Sequence, residues 1–276
     1  GPYKVKEFKP GVRSVAVRNE SYWRPNRPYL DEIELVGITD ESARVNALLA
    51  GQLDLVQAVS PRSVDRVTAG GKQVYETKSV SYTNLIMRRD SSPGNNPDFV
   101  LAMKHLFNRE QLLKSIQLGR GVVANDQPIA SSNRFYFKGL PQRPYDPEKA
   151  KWHLQKANLG SAAVPVVVSP AASNSVEMAL VMQHAAKQIG LNLDVKRMPA
   201  DGYWSTHWMK HPVGFGNINA RPSADLALTL FFKSDAPWNE AAWKNEKFDQ
   251  LLVAARGEVD QAKRAQMYAD MQVMIH

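Results

Sequence analysis

With 276 residues, 43% hydrophobic and 22% of them charged, the chain can bury one large core or two modest ones, and its length fits about two domains. It holds no cysteine, which excludes disulfides, thiolate nucleophiles and cysteine metal sites together, and no apolar run approaches the roughly 18 residues of a membrane helix. The formal charge of +8 is diffuse: its densest groupings, Arg88-Arg89 and Lys149 with Lys151, have acids nearby and no interleaved aromatics, so a basic solvated surface is favoured and no nucleic-acid partner is expected.

Tyr3–Phe8 and Val12–Arg18 alternate like two strands joined by the turn Lys9-Pro10-Gly11. The opening residues lack the apolar segment of a signal peptide, so the chain is expected to begin inside a fold, without its export signal. Ile33–Ile38 reads as a strand and Thr39 or Asp40 as the N-cap of a helix that runs to Ala50 and ends at Gly51. With Leu53–Gln57 as the next strand, this βαβ unit predicts a parallel pair with a right-handed crossover. Pro61–Thr68 follows as a short helix and Val74–Thr77 as a further strand.

In the stretch Val80–Pro97, Tyr82 and Asn84 fall on one face of a strand and Leu85 and Met87 on the other. The turn-rich segment Arg89–Asn96 then changes the pattern. The strand is read as a crossover that divides the chain into residues 1–88, a βαβ sheet unit plus the crossover, and residues 89–276, a helix-rich α/β unit.

Beyond it, Asn96-Pro97-Asp98 opens a helix, and Asn108 with Gln111 restarts one that runs to Leu118. Loop chemistry dominates from Gly119 to Pro144. Asp146-Pro147-Glu148 heads a helix that ends near Asn158, Val164–Val168 is a buried strand, Ser175–Ile189 a helix closed by Gly190, and Leu191–Arg197 a strand. Gly202–Lys210 reads as a Trp-rich helix, Val213–Ala220 as a strand or loop, Arg221–Pro237 as a loop, and Glu246–Arg256 and Asp260–Ile275 as helices.

The order and spacing of several segments resemble the peptide/nickel class of ABC-transporter solute-binding proteins. The carriers are GPYKVKEFKPGVRSVAVRNESYW at Gly1–Trp23, LDEIELVGITDESARVNALLAGQLDLV at Leu30–Val56, FNREQLLKSIQLGRG at Phe107–Gly121, YDPEKAKWHLQKANL at Tyr145–Leu159, IGLNLDVKRMPADGYW at Ile189–Trp204 and WKNEKFDQLLVAARGEVDQAKRAQMYADMQ at Trp243–Gln272. The resemblance spans nearly the whole chain. It implies an α/β, periplasmic-binding-protein-like (type II, cluster C) two-lobe fold, present in part, as in an internal fragment: residues 1–88 are expected to form part of lobe I and residues 89–276 most of lobe II. It also implies a monomeric, non-enzymatic receptor that is periplasmic or lipid-anchored at the cell surface. Such a receptor captures a small polar solute, an oligopeptide, opine or related carboxylate, and hands it to ABC permease subunits. A chemosensory or chaperone-like peptide-binding module not coupled to transport is the alternative.

Peptide-binding members of that class carry a Trp-x-Ala-Asp segment whose Asp receives the peptide amine. Here Gly216–Arg221 stands in that region without the Asp, so a ligand held through a carboxylate is expected instead. Arg221, before Pro222, can take a carboxylate bidentately, or it pairs on the surface with Asp225. Tyr82 and Asn84 can reach a ligand from the crossover strand or satisfy the sheet edge. Asn217 and Asn219, two apart, offer neutral donors from one side of a strand. The resemblance makes Tyr203 and Trp204 candidates for flat ligand contacts, with core packing the alternative. His207 and His211 have helical spacing, but no HExxH and no carboxylate at ligand spacing accompany them, so no metal and no cofactor are expected. Neither GxSxG nor a phosphate-cradling glycine loop is present, and no catalytic residues are expected.

Overall fold

The computed structural model describes all 276 residues, which divide into two compact units, Gly1–Tyr75 and Glu76–His276. In the first unit, β1 (Tyr3–Lys9), β2 (Arg13–Arg18) and β3 (Glu32–Val36) form an antiparallel sheet in that order. The turn between β1 and β2 closes with Val12 N–H donating to the Lys9 carbonyl and Gly11 at φ +73°, a left-handed conformation that favours glycine. Two helices follow, α1 (Glu41–Leu49) and α2 (Pro61–Ala69). Asp40 caps α1 by accepting from Ala43 N–H, and Glu41 joins the helices by accepting from Ser60 N–H at 3.0 Å and Ser63 Oγ at 2.6 Å.

The parallel βαβ pair expected here does not form. Leu53–Gln57 and Val74–Thr77 are irregular, and β3 pairs with β2 alone. Instead of lining a sheet, Val56 and Val59 pack on Val45, Leu48 and Val67 of the two helices, which compete successfully for the segment's apolar side chains.

The second unit is built on a four-stranded sheet of order β4-β7-β5-β6, with β4 (Tyr82–Met87), β5 (Val164–Val168), β6 (Leu193–Arg197) and β7 (Val213–Ile218). The unit's helices are α3 (Pro97–Leu106), α4 (Arg109–Ser115), α5 (Pro147–Ala157), α6 (Ser175–Gln188), α7 (Tyr203–Thr206), α8 (Ala224–Phe231), α9 (Glu246–Gly257) and α10 (Gln261–Ile275). Parallel neighbours need a long connection, and α6 supplies it between β5 and β6. Asn96, Asn108, Asp146, Ser223, Asn245 and Asp260 each accept from a first-turn N–H, so side-chain caps set most helix starts.

The main core of this unit joins Phe99, Met103 and Leu106 of α3 to Val166–Val168 of β5, Met182 of α6 and Phe215 of β7. A second core, with Leu228, Phe248, Leu252, Tyr268 and Met271, ties α8, α9 and α10 together. Three readings of this half need correction. β4, assigned to the first unit with a boundary after residue 88, pairs with β7, so it belongs to the second unit and the chain divides at Tyr75. The expected helix Gly202–Lys210 narrows to the single turn α7. The loop expected over Arg221–Pro237 contains α8, which Ser223 starts by accepting from Leu226 N–H.

Candidate functional site

β4 and β7 make a ribbon with two unlike faces. The antiparallel register sets Tyr82 opposite Ile218, Asn84 opposite Gly216 and Ile86 opposite Gly214, and period-two alternation puts these six on one face. Leu85, Met87, Phe215 and Val213 share the other face and join the main core.

The first face gathers buried polar groups around Glu240, which is only 7% exposed. Asn84 Nδ2 donates to Glu240 Oε2 at 2.7 Å, and Trp208 Nε1 donates to Glu240 Oε1 at 2.6 Å. Burial pushes the Glu240 carboxyl up from its ordinary range; the two hydrogen bonds oppose that shift, and no cation assists them. Gly216 provides the space, since a Cβ there would overlap the carboxylate. Asn84 Oδ1, also buried, accepts from no donor.

On the Tyr82 side of the same face lies a pocket of about 250 Å³, lined by Tyr82, Ile129, Asn133, Asn219, Arg221 and Phe231 among others. The Arg221 guanidinium carbon stands 5.1 Å from the Phe231 ring centroid and 5.4 Å from that of Trp238, within cation–π range of both. Its Nη1 donates to the Asn219 and Ala220 carbonyls at 3.1 Å each, which ties the group back to its own loop. Nε and Nη2 have no protein acceptor, and neither is sealed from solvent. That free edge is the fork that matches a carboxylate with two parallel hydrogen bonds. The surface pair with Asp225 does not form, because Arg256 Nε takes Asp225 at 2.9 Å.

The aromatic rings run on from Phe231. Trp238 stacks on it with centroids 5.9 Å apart, Trp208 meets Trp238 edge-on at 6.3 Å, and Trp204 meets Trp208 edge-on at 5.7 Å.

The fold separates the residues singled out from the sequence. Tyr82, Asn219 and Arg221 come together in the pocket, with Asn84 on the same ribbon face as Tyr82. The Tyr82 hydroxyl is raised by burial and by the nearby Glu240, with Arg221 acting the other way. Asn217 is elsewhere: its Nδ2 donates to the Tyr82 carbonyl at 3.0 Å and to Thr83 Oγ1 on the opposite face. The strand ends at Ile218, so the alternation does not extend to Asn219. Tyr203 is a core residue, 1% exposed, with its hydroxyl donating to the Phe215 carbonyl at 2.7 Å and its pKa pushed up to about 12 by burial. Trp204 is 41% exposed and leans edge-on against Tyr203 and Trp208, outside the pocket lining.

His207 Nδ1 faces His211 Nε2 at 3.2 Å, with the ring planes 18° apart and the centroids 5.5 Å apart. The rings lie nearly end to end, which is the geometry of one imidazole N–H donating to the other's lone pair. No third His, Asp or Glu joins them. Sequence reading missed Glu240, Trp238 and Phe231. The one local signal was Gly216, a glycine inside a strand, which marks close approach by another group.

Comparison with known proteins shows where this arrangement belongs. The chain is 24% identical to the heme-binding protein A of Haemophilus influenzae over its whole length, covering 52% of that protein. It superposes along its whole length on the periplasmic binding protein DppA from Helicobacter pylori, solved with the peptide STSA, with a TM-score of 0.87, 22% identity and 55% of that chain covered. The binding protein AgaA of A. tumefaciens R10, solved with agropinic acid, gives a TM-score of 0.88 at 20% identity, covering 99% of this chain and 57% of that one. The chain thus spans about half the length of the relatives it matches, and it shares their α/β periplasmic-binding fold over that half. The family model for the middle region of the bacterial extracellular solute-binding proteins, family 5, matches residues 1–265, and this chain is a member of that family.

Proposed function

We propose that the chain forms part of a receptor that captures a small polar solute bearing a carboxylate and delivers it to ABC permease subunits, without covalent chemistry. The observation that carries the reading is the Arg221 guanidinium, which lies over Phe231 and Trp238, belongs to a residue lining a pocket of about 250 Å³, and keeps Nε and Nη2 without a protein acceptor. Desolvation as the receptor closes strengthens such a charge-assisted pair. Family membership supports a binding role, and the relative solved with agropinic acid takes an acid of this class. Tyr82 and Asn219 supply further polar contacts from the pocket wall, and Asn84 backs the wall through Glu240.

In this reading the first unit belongs to one lobe of a longer receptor and the second unit makes up most of the other. The receptor acts as a monomer in the periplasm or anchored at the cell surface, where a permease reads the closed, solute-bound state. No helix is long and apolar enough to cross a membrane, which agrees with a separate permease as the spanning partner.

Calorimetry on the full-length receptor against pools of peptides, opines and sugar acids tests the proposal. Anionic solutes are expected to bind, and Arg221→Ala is expected to weaken them by roughly 2–5 kcal/mol, the range for truncating one member of a buried charge pair. Tight binding of uncharged sugars, or unchanged affinity in Arg221→Ala, would overturn the carboxylate assignment. Turnover of a bound compound would overturn the receptor itself.

A further inference from the structure

We infer that Glu240 is a positioning residue for the aromatic support of Arg221: held by Asn84 and Trp208, its carboxylate fixes Trp208 and Trp238 against Phe231, so that the guanidinium presents its free edge to the pocket. The functional meaning of this inference rests on the carboxylate-binding reading above, although the clamp itself is a matter of geometry alone.

The clamp follows from how three parts of the chain meet. Trp238 precedes Asn239 and Glu240 in the connection between α8 and α9, and both of those residues are buried. Asn239 Nδ2 donates to the Trp243 carbonyl at 2.6 Å and the Lys233 carbonyl at 3.2 Å, and its Oδ1 accepts from Trp243 N–H at 3.2 Å, so the connection is closed on itself. Glu240 then fastens that closed loop to the ribbon through Asn84 and to the segment after α7 through Trp208. Trp208, bound to Glu240 at its Nε1, is also the ring that meets Trp238 edge-on at 6.3 Å. One carboxylate therefore sets both tryptophans.

An apolar side chain of similar volume would avoid burying a carboxyl group but would leave the Trp208 and Asn84 donors without an acceptor in a dry site. A glutamine leaves fewer groups unpaired: its Oε1 accepts from Trp208, and with the Asn84 amide turned over its Nε2 donates to Asn84 Oδ1, so that only the Asn84 amide nitrogen lacks a partner.

The test uses the full-length receptor with the substitutions Glu240→Gln, Glu240→Leu, Gly216→Ala and Trp208→Phe. Two readouts apply: the near-ultraviolet circular dichroism of the coupled tryptophans, and the rate at which phenylglyoxal modifies Arg221, followed by peptide mass spectrometry. Far-ultraviolet dichroism checks that secondary structure is kept. Glu240→Gln is expected to match the parent in both readouts. Glu240→Leu and Gly216→Ala, whose Cβ would displace the carboxylate, are expected to lose the tryptophan signal and to expose Arg221 to modification several-fold faster. If Glu240→Leu does not fold, Trp208→Phe decides, since it keeps an aromatic ring, though a smaller one, while removing the N–H that donates to Glu240, and faster modification of Arg221 is expected there too. Unchanged modification in Glu240→Leu or Trp208→Phe, or Glu240→Gln as damaged as Glu240→Leu, overturns the inference. Failure of the carboxylate reading would appear instead in the calorimetry of Arg221→Ala and would leave these readouts as they are.

Discussion

The two faces of the β4–β7 ribbon share a backbone and a register but are held in opposite ways. On one, Val213 and Phe215 are buried in the main core and the partly buried Leu85 and Met87 pack against it, where burial is non-directional and neighbours are interchangeable within limits of volume. On the other, Glu240 is buried, and the partly buried Asn84 and Trp208 hold it through specific hydrogen bonds that tolerate little change in chemistry. The first face gives the unit its stability. The second gives it a fixed arrangement of groups beside the pocket, at an energetic cost that the core offsets.

That contrast fixes the expected order of mutational effects. Phe215→Ala removes a fully buried ring and is expected to destabilise the chain by about 3–5 kcal/mol in denaturant unfolding, whichever solute is present. Trp208→Phe leaves one Glu240 oxygen without its donor and is expected to cost about 1–3 kcal/mol. If the polar-face variant proved as damaging as Phe215→Ala, the division of labour between the faces would fail. Ser223→Ala, which removes the cap of α8 beyond the ribbon, is expected to cost about 1 kcal/mol.

The faces should also differ in their response to pH, because only one carries an ionisable group. Glu240 holds its proton more tightly in the folded chain than its ordinary value near 4.5 allows. Above that value the folded state therefore binds more protons than the unfolded state. Its contribution to stability is full at low pH and falls as pH rises through the folded-state value. Asp98, lowered by its hydrogen bond to His153, and Asp126, paired with Arg109 and Arg143, act with the opposite sign, since their stabilisation is lost as pH falls below the ordinary carboxylate range. His105, His211 and His276, lowered by burial, contribute alike to parent and variant, so denaturant midpoints from pH 4.5 upward should show the parent losing stability relative to Glu240→Gln as pH rises. An identical slope in both would place the titration elsewhere.

How much of this was legible in the sequence follows from the range of each interaction. The alternation of Tyr82 and Asn84 against Leu85 and Met87 is local, and the ribbon faces follow it. The caps at Asp146 and Asp260 are local too, and the helices begin there. The partner of Asn84 is 156 residues away and cannot be read from spacing. Nor could spacing tell Tyr203 from Trp204, because α7 is a single turn with no periodicity to assign one ring to the core and the other to solvent. α8 was hidden by Pro222 and the polar run before it, although Ser223 with Asp225 in the first turn is a start signal. The parallel pair expected in the first unit failed because an apolar run specifies burial without specifying against what, and there the helices were the nearer surface.

The free edge of Arg221 is the centre of the functional reading, and its most direct test is a crystal structure of the full-length receptor with the tightest-binding solute from the calorimetric screen. The expected result is a solute carboxylate lying in the guanidinium plane with its oxygens on Nε and Nη2, while Nη1 keeps its bonds to the Asn219 and Ala220 carbonyls. A bound solute that leaves that edge facing water, or whose carboxylate is held by another residue, would contradict it.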